Sequence, residues 1–275
     1  MQAIGQVFTE ILTRPLANGL ILFYNFFGHN LGVATILFSI FLFLVTRPLS
    51  KPQMETMKKI KEIQPSINKL KKKFGKDQMG FSKAQAELYK EKGINPGAGC
   101  LFQILQLVIL ISFYQVFAGS LSNTASSINK INSYLYSPFV AHIHTLNTTF
   151  WYLNISKPDL FVVHGIPLPL PGLFLVLAIV AQFLSVKVMA PVMSAEEKLA
   201  KTTKSETDDM QLAMQSSMMY TIPLMTLYFG YKFPSGLALY WLVFSLGTVW
   251  QQVSANGWGG LTPFLKRLGL IQSGK

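Results

Sequence analysis

Five stretches of the chain are apolar over about the twenty residues that a helix needs to cross the hydrocarbon core of a bilayer. They cover residues 31–49, 101–119, 170–190, 212–232 and 237–257. Only Phe233-Pro234-Ser235-Gly236 separates the last two, so proline and glycine end one helix and turn the chain into the next. The pattern predicts an all-α integral membrane protein, built as a five-helix transmembrane bundle.

The polar segment 51–98 carries a second helical pattern. Its first half repeats apolar residues at steps of three and four, as in the seam of a coiled coil, and residues 75–80 turn the chain back. Pro65 should kink the first arm. The seam residues are Ile60, Ile63, Ile67, Leu70 and Phe74, and the returning face holds Phe81, Ala84 and Leu88. We predict a helical hairpin, which is either a solvated helical pair or a docking arm for partner molecules.

The first thirty residues predict interfacial helices rather than a cleaved signal. They contain Glu10 and Arg14, and they show neither a basic n-region nor a small-residue cleavage site. Residues 4–28 predict one or two amphipathic helices, broken near Pro15.

Charge predicts the orientation of the chain. Only 13% of the 275 residues are charged, about half the share in a soluble domain, and the net charge is +12. Residues 51–98 hold twelve lysines and five acidic residues, whereas 120–169 hold two lysines and one aspartate. Lysines beside apolar spans favour cytoplasmic loops over nucleic-acid binding, so 51–98 is predicted to be cytoplasmic and 120–169 outside. The domains are then an extracytoplasmic segment 1–30, a five-span core 31–256 and a basic cytoplasmic tail 257–275.

Motifs for catalysis and cofactor binding are missing from the sequence. The single cysteine, Cys100, excludes an intramolecular disulfide, and the four histidines are scattered. There is no Walker loop, no HExxH and no GxSxG. We predict a protein that is not an enzyme and that uses no metal and no cofactor.

Polar residues inside the predicted spans concentrate in the cytoplasmic halves. The outer half of the third span, residues 170–181, has no polar side chain. Intramembrane polar residues usually face a bundle interior or a wet cavity, so this asymmetry favours a groove closed on the outside over a pore. The alternative is that Ser and Thr bond to their own helix while longer polar side chains lie at an interface. The candidate groove residues are Arg47, Gln103, Gln106, Gln182, Ser185, Gln215, Tyr240, Ser245 and Thr248.

Four stretches, in their order and spacing, resemble the YidC membrane-insertase family over about residues 20–255. They are Asn30-Leu31-Gly32 with Pro48-Leu49 and Ile63-Gln64-Pro65; Leu88-Tyr89-Lys90 with Gly93-Ile94-Asn95-Pro96, Gly99-Cys100 and Gln106; Met189-Ala190-Pro191; and Phe233-Pro234-Ser235-Gly236-Leu237-Ala238-Leu239-Tyr240-Trp241.

This resemblance implies a multi-pass protein of the bacterial inner membrane, consisting of the family's core domain alone. It implies a hydrophilic groove, open to the cytoplasm and to lipid, that takes a short polar segment of a client membrane protein while the client's apolar segment enters the bilayer. Such proteins insert and chaperone clients without ATP, alone or beside the Sec translocon, and their clients arrive on ribosomes. The implied partners are nascent membrane proteins and lipids, with no direct binding of nucleic acid.

The sequence departs from the family at one position. The family's groove arginine lies five residues before the Pro-Leu pair, where this chain has Phe43. Arg47, one turn later on nearly the same face, either reaches back to supply that charge or extends to the lipid headgroups. Two other functions stay open: a small transporter or channel, and an assembly factor without insertion activity.

Overall fold

A computed structural model describes residues 2–75, 77–95, 97–118, 124–136, 143–165, 167–189, 221 and 223–271. The chain is mostly helical over these residues, as predicted. The helices are α1 (Gln2–Phe8), a π-helical segment (Thr9–Thr13), α2 (Arg14–Phe26), α3 (Leu31–Phe74), α4 (Gln78–Glu91), α5 (Gly97–Phe117), α6 (Ala125–Tyr134), α7 (Leu173–Met189), α8 (223–230), α9 (Ser235–Asn256), a 3₁₀ turn (Gly259–Leu261) and α10 (Thr262–Arg267).

Four short strands correct the all-α prediction. They are β1 (Thr149–Phe150), β2 (Leu153–Asn154), β3 (Leu160–Phe161) and β4 (Leu170–Pro171), and they form two antiparallel pairs, β1–β2 and β3–β4. Each strand is two residues long, which is too short for an alternating pattern to show in the sequence. The predicted third span consequently begins as a helix at Leu173, after β4.

Helix α3 runs without interruption for 44 residues. The sequence predicts a span ending at residue 49 and a separate arm from residue 51, but the helix continues through Pro48, Pro52 and Pro65. Among the described residues, its stretch Leu31–Leu70 is the one helix both long and apolar enough to cross a membrane. Ile104–Phe117 and Leu173–Met189 are shorter apolar helices. Of the predicted fourth span, 212–232, residues 212–220 and 222 lie outside the described residues, and 223–230 are helical.

The N-terminal segment is helical through the predicted break. The π-helical segment Thr9–Thr13 stands where the break is expected, and Pro15 lies in the first turn of α2, where its missing N–H is tolerated. Helix α2 buries Leu20 and Ile21. Its Gly19 admits the ring of Phe38, since a Cβ there would lie 2.6 Å from that ring.

The chain divides into two compact units. The first contains Met1–Arg47, Gln103–Gln182 and Pro223–Gly247, and the second contains Pro48–Phe102, Phe183–Ile222 and Thr248–Lys275. The second unit buries the hairpin residues Ile67 and Phe81, together with Ile94.

Three helices in the first unit begin against one connector, residues 143–172. At the start of α3, the N–H of Leu31 donates to the carbonyl of Asn147 over 3.0 Å. At the start of α9, the N–H of Ser235 donates to the carbonyl of Lys157 over 2.7 Å, and that of Gly236 donates to Ile155 over 3.0 Å. These bonds satisfy donors that a helix leaves unpaired in its first turn.

Asp159 of the same connector caps α7. Its carboxylate accepts the N–H of Leu175 at 2.9 Å and the hydroxyl of Tyr152 at 3.0 Å, and the residue is 2% exposed. A negative group at a helix N-terminus is favourable because it faces the positive end of the helix dipole. Burial raises the pKa of Tyr152, which keeps the hydroxyl protonated as a donor to Asp159. Gly172 passes so close to Asp159 that no side chain fits there.

We expect Asp159→Ala to destabilise the first unit by about 1–3 kcal/mol, because it removes the cap and leaves the Tyr152 hydroxyl without its acceptor. Asp159→Asn, which keeps one acceptor oxygen, should cost less. Lys157→Ala serves as the control, because that side chain is exposed two residues away. Thermal unfolding in detergent measures the effect, and a melting temperature for Asp159→Ala equal to that of Lys157→Ala would contradict it.

Candidate functional site

Helix α9 carries a fully buried tyrosine that bonds to α5. The Nε2 of Gln106 donates to the hydroxyl oxygen of Tyr240 over 2.6 Å, and Tyr240 is 0% exposed. The other amide atom, Gln106 Oε1, is buried without a hydrogen-bond partner. An unpaired buried acceptor is costly, so this oxygen is ready to accept from a further donor. Tyr240 and Gln106 are both predicted groove residues, and the structure brings them together.

A second polar pair joins α9 to α7. The hydroxyl of Ser245 donates to Gln182 Oε1 over 2.9 Å, and Ser245 is 5% exposed. The alternative that such a hydroxyl bonds to its own helix is therefore wrong for Ser245. Two of the sequence-predicted groove residues again face one another, on neighbouring helices.

Other hydroxyls in the first unit do bond to their own helices. Thr35 donates to Leu31, Ser39 to Thr35, Thr46 to Leu42 and Ser112 to Val108, in each case to the carbonyl four residues earlier. The hydroxyl donors of these residues are used within their own helix, so they add little polar character to the space between helices. They provide an internal comparison for the two pairs that cross between helices.

Aromatic rings pack around Tyr240. Phe113 stacks on Tyr240 at 4.8 Å and on Phe117 at 5.8 Å, and Phe244 lies 5.7 Å from Tyr240. We call Phe113, Phe117, Tyr240 and Phe244 the aromatic cluster. Gly236 lets α9 approach α5 here, since a Cβ on it would lie 2.5 Å from the ring of Phe117.

Phe43 extends this packing to α3. Its ring meets Phe244 edge-on at 5.5 Å, and a Cβ on Gly247 would come within 2.9 Å of it. Phe43 is 7% exposed, whereas Arg47, one turn further along, is exposed. The position at which the resemblance implies an arginine is thus filled by an apolar side chain in a packed core.

The second unit holds its own polar residues. Ser185 is 7% exposed and Thr248 is half-buried. Near the end of α9, the Nε2 of Gln251 donates to the hydroxyl of Ser50 over 2.7 Å. Gln252 is 0% exposed, and neither of its amide atoms has a hydrogen-bond partner. Sequence reasoning missed the Ser50–Gln251 pair because Ser50 lies just beyond the predicted first span.

Two predicted site residues have no described side chain. Gln103 lies within α5, but its side chain is outside the described residues, and Gln215 lies wholly outside them.

The described polar pairs offer hydrogen bonds. They consist of amides and hydroxyls, which can receive polar groups of another molecule between predominantly apolar helices. No group of three or more His, Cys, Asp or Glu within the described residues could hold a metal ion.

Comparison with known proteins gives the family. The sequence model of the family described as 60Kd inner membrane protein matches residues 22–258. A protein of Pelodictyon phaeoclathratiforme named Membrane protein insertase YidC is 30% identical over 249 residues, which are 89% of this chain and 37% of that protein. A protein of the same name from Buchnera aphidicola subsp. Schizaphis graminum is 31% identical over 245 residues, 89% of this chain and 37% of that protein.

A third similar protein, from Oleidesulfovibrio alaskensis and of the same name, is 28% identical over 251 residues, 91% of this chain and 39% of that protein. The chain thus spans less than two fifths of the length of these relatives. The resemblance carried by the sequence motifs is confirmed, and because the match extends over residues 22–258, the chain belongs to the 60Kd inner membrane protein family.

Proposed function

We propose that this chain is a membrane-protein insertase and chaperone. It receives the polar part of a nascent client in a hydrophilic groove while the client's apolar part enters the lipid. The name that the three relatives share supports this function. The structural observation that carries it is the pair of partly buried polar contacts, Gln106–Tyr240 and Gln182–Ser245, between predominantly apolar helices.

An unsatisfied amide oxygen gives the groove affinity for polar groups. A buried polar atom that lacks a partner costs free energy, and Gln106 Oε1 is in that state. Water or a polar group of a client would relieve this cost, which lowers the barrier to moving a hydrophilic tail. Burial of the client's apolar residues in lipid then drives insertion without ATP.

The aromatic cluster supports a groove that is closed at one end. Phe113 and Phe117 are 1% exposed and Tyr240 is 0% exposed. A transporter or channel would require polar lining throughout its length, and no described contact favours that alternative.

Five spans with the N-terminus outside remain our proposed topology. Helices α3, α7 and α9 begin against one connector, as the first, third and fifth spans of such a bundle should. The basic segment 51–98 is then cytoplasmic, in a bacterial inner membrane. The proposed domains are the extracytoplasmic segment 1–30, the core 31–256 and the cytoplasmic tail 257–275.

The proposed partners are nascent membrane proteins and lipids. Helices α3 and α4 cover most of the basic segment 51–98, and this hairpin is the part of the chain that we propose for contact with a ribosome. Work beside the Sec translocon is part of the same proposal.

Labelling of single cysteines tests the topology. With Cys100→Ser as background, a membrane-impermeant maleimide should label Ser126→Cys in intact cells, because 120–169 is outside. Ser66→Cys should react only after permeabilisation. Both positions are exposed, so burial does not decide the result. Labelling of Ser66→Cys from the outside would overturn the orientation.

Replacement of the polar pairs tests the groove. We expect Gln106→Leu, Gln182→Leu and Ser245→Ala together to slow insertion of a small client with a short polar tail about tenfold, which is about 1.4 kcal/mol in the barrier. The variant should still fold, because apolar side chains are tolerated in a bundle. Ser39→Ala with Ser112→Ala is the control, since these hydroxyls bond to their own helices. Equal insertion rates for the two variants would count against a functional groove.

Arg47 is proposed as an exposed positive charge at the groove's mouth. We expect Arg47→Ala to slow insertion of an acidic-tailed client about threefold, and Arg47→Lys to retain the wild-type rate, because a solvated charge acts mainly through its sign. A neutral-tailed client should be unaffected. Phe43→Arg should destabilise the fold by burying an unpaired charge beside Phe244. An unchanged rate for the acidic tail in Arg47→Ala would remove Arg47 from the site.

A further inference from the structure

Apolar side chains on the connector that caps the helices are unusually exposed. Trp151 is 74% exposed, Val162 85% and Leu168 63%. Together with Phe161, Val163 and Leu170 they form what we call the connector patch. Scattered exposed apolar residues are normal on any protein, but a concentration of them within about twenty residues marks an interaction surface.

Trp151 lies in a strained turn that neighbouring contacts hold in place. Trp151 and Tyr152 form the two-residue turn between β1 and β2, and Trp151 has φ = 53°. A bulky residue is strained in this left-handed region, and such strain persists only where the surrounding structure fixes it. Tyr152 supplies the anchor, because its hydroxyl bonds to Asp159 and its ring stacks on Phe174 at 5.9 Å. The indole meets the Tyr152 ring edge-on at 5.5 Å and the Phe174 ring edge-on at 6.0 Å, and most of its surface stays exposed.

The connector patch is uncharged and continues onto α7. Among residues 143–172, Lys157 and Asp159 are the charged ones, and Asp159 is buried beneath the hairpins. Beyond Leu170, the exposed apolar residues Leu173, Val176, Leu177 and Val180 form one stripe along α7. Their spacing places them on a single helix face. In a protein of an inner-membrane family, a stripe of this kind faces lipid.

We infer that the connector patch lies in the bilayer interface, with Trp151 seated between headgroups and acyl chains of the leaflet in which α7 begins. The inference rests on the proposed topology. Tryptophan favours this layer because its ring is apolar and its N–H can bond to headgroups. Continuity with the stripe on α7 and the absence of charged residues from the connector patch itself favour lipid over a polar protein partner. The patch would then fix the depth and tilt of α7, which carries Gln182 of the groove.

Depth-resolved fluorescence quenching tests the position of Trp151. The full chain, with Trp241, Trp250 and Trp258 changed to Phe, is reconstituted without client into vesicles of phosphatidylethanolamine and phosphatidylglycerol. Lipids brominated near the headgroup should quench Trp151 at least twofold more than lipids brominated near the bilayer centre. Acrylamide in the water should quench it at least threefold less than it quenches free tryptophan amide.

Two control variants in this background also carry Trp151→Phe. Asn129→Trp lies on an exposed polar face of α6 and should be quenched by acrylamide alone. Leu177→Trp lies within the α7 stripe and should be quenched most by the deep bromines. Acrylamide quenching of Trp151 equal to that of Asn129→Trp would overturn the interfacial position.

The controls separate this inference from the proposed topology. If the brominated lipids fail to quench Leu177→Trp as well, α7 does not lie in the bilayer. The proposed topology and the interfacial position of Trp151 then both fail. If Leu177→Trp is quenched and Trp151 is not, only the interfacial inference fails. Protection of Trp151 from acrylamide that arises only when a client is added would assign the connector patch to client binding and overturn the lipid assignment.

Discussion

The N–H groups at the start of a helix need acceptors, and in this chain one connector supplies them to three helices. Carbonyls of Asn147, Ile155 and Lys157 and the carboxylate of Asp159 receive these donors from α3, α9 and α7. An N–H group that water cannot reach costs too much free energy to be left unpaired. The connector therefore sets the level at which each helix begins. Because helical rise is fixed, it also sets which residues of α7 and α9 lie side by side further down.

The contacts at the site follow from the reach of each side chain. A serine or threonine hydroxyl can return to the carbonyl four residues earlier, and Thr35, Ser39 and Ser112 do so. A glutamine amide is longer and projects to the next helix, as Gln106 does towards Tyr240. Ser245 crosses between helices because Gln182 offers it an acceptor. Gln106 and Gln182 thus place polar contacts between these helices.

Much of this arrangement could be predicted from the sequence, because long apolar runs and lysine-rich segments are strong signals. Helix α3 begins directly after Asn30, and α9 begins directly after Pro234. In both places the local sequence predicts the start of a helix. The continuity of α3 could not be predicted, since Pro48 and Pro52 normally argue for a helix end. The strands at 149–171 are too short to have a period. The burial of Phe43 and exposure of Arg47 depend on how α3 packs against Phe244 and Gly247, which no spacing along the chain encodes.

Two prolines in α3 have a further consequence. An α-helix pairs each carbonyl with the N–H four residues later, and Pro48 and Pro52 have no N–H. The carbonyls of Leu44 and Pro48 therefore lack the donor that a regular helix would give them, and they lie one turn apart on the same side. A side chain, a shifted backbone N–H, water or a lipid headgroup can then bond to them instead. The two prolines thereby mark a turn of α3 at which the backbone offers two acceptors to donors outside the regular helical pattern.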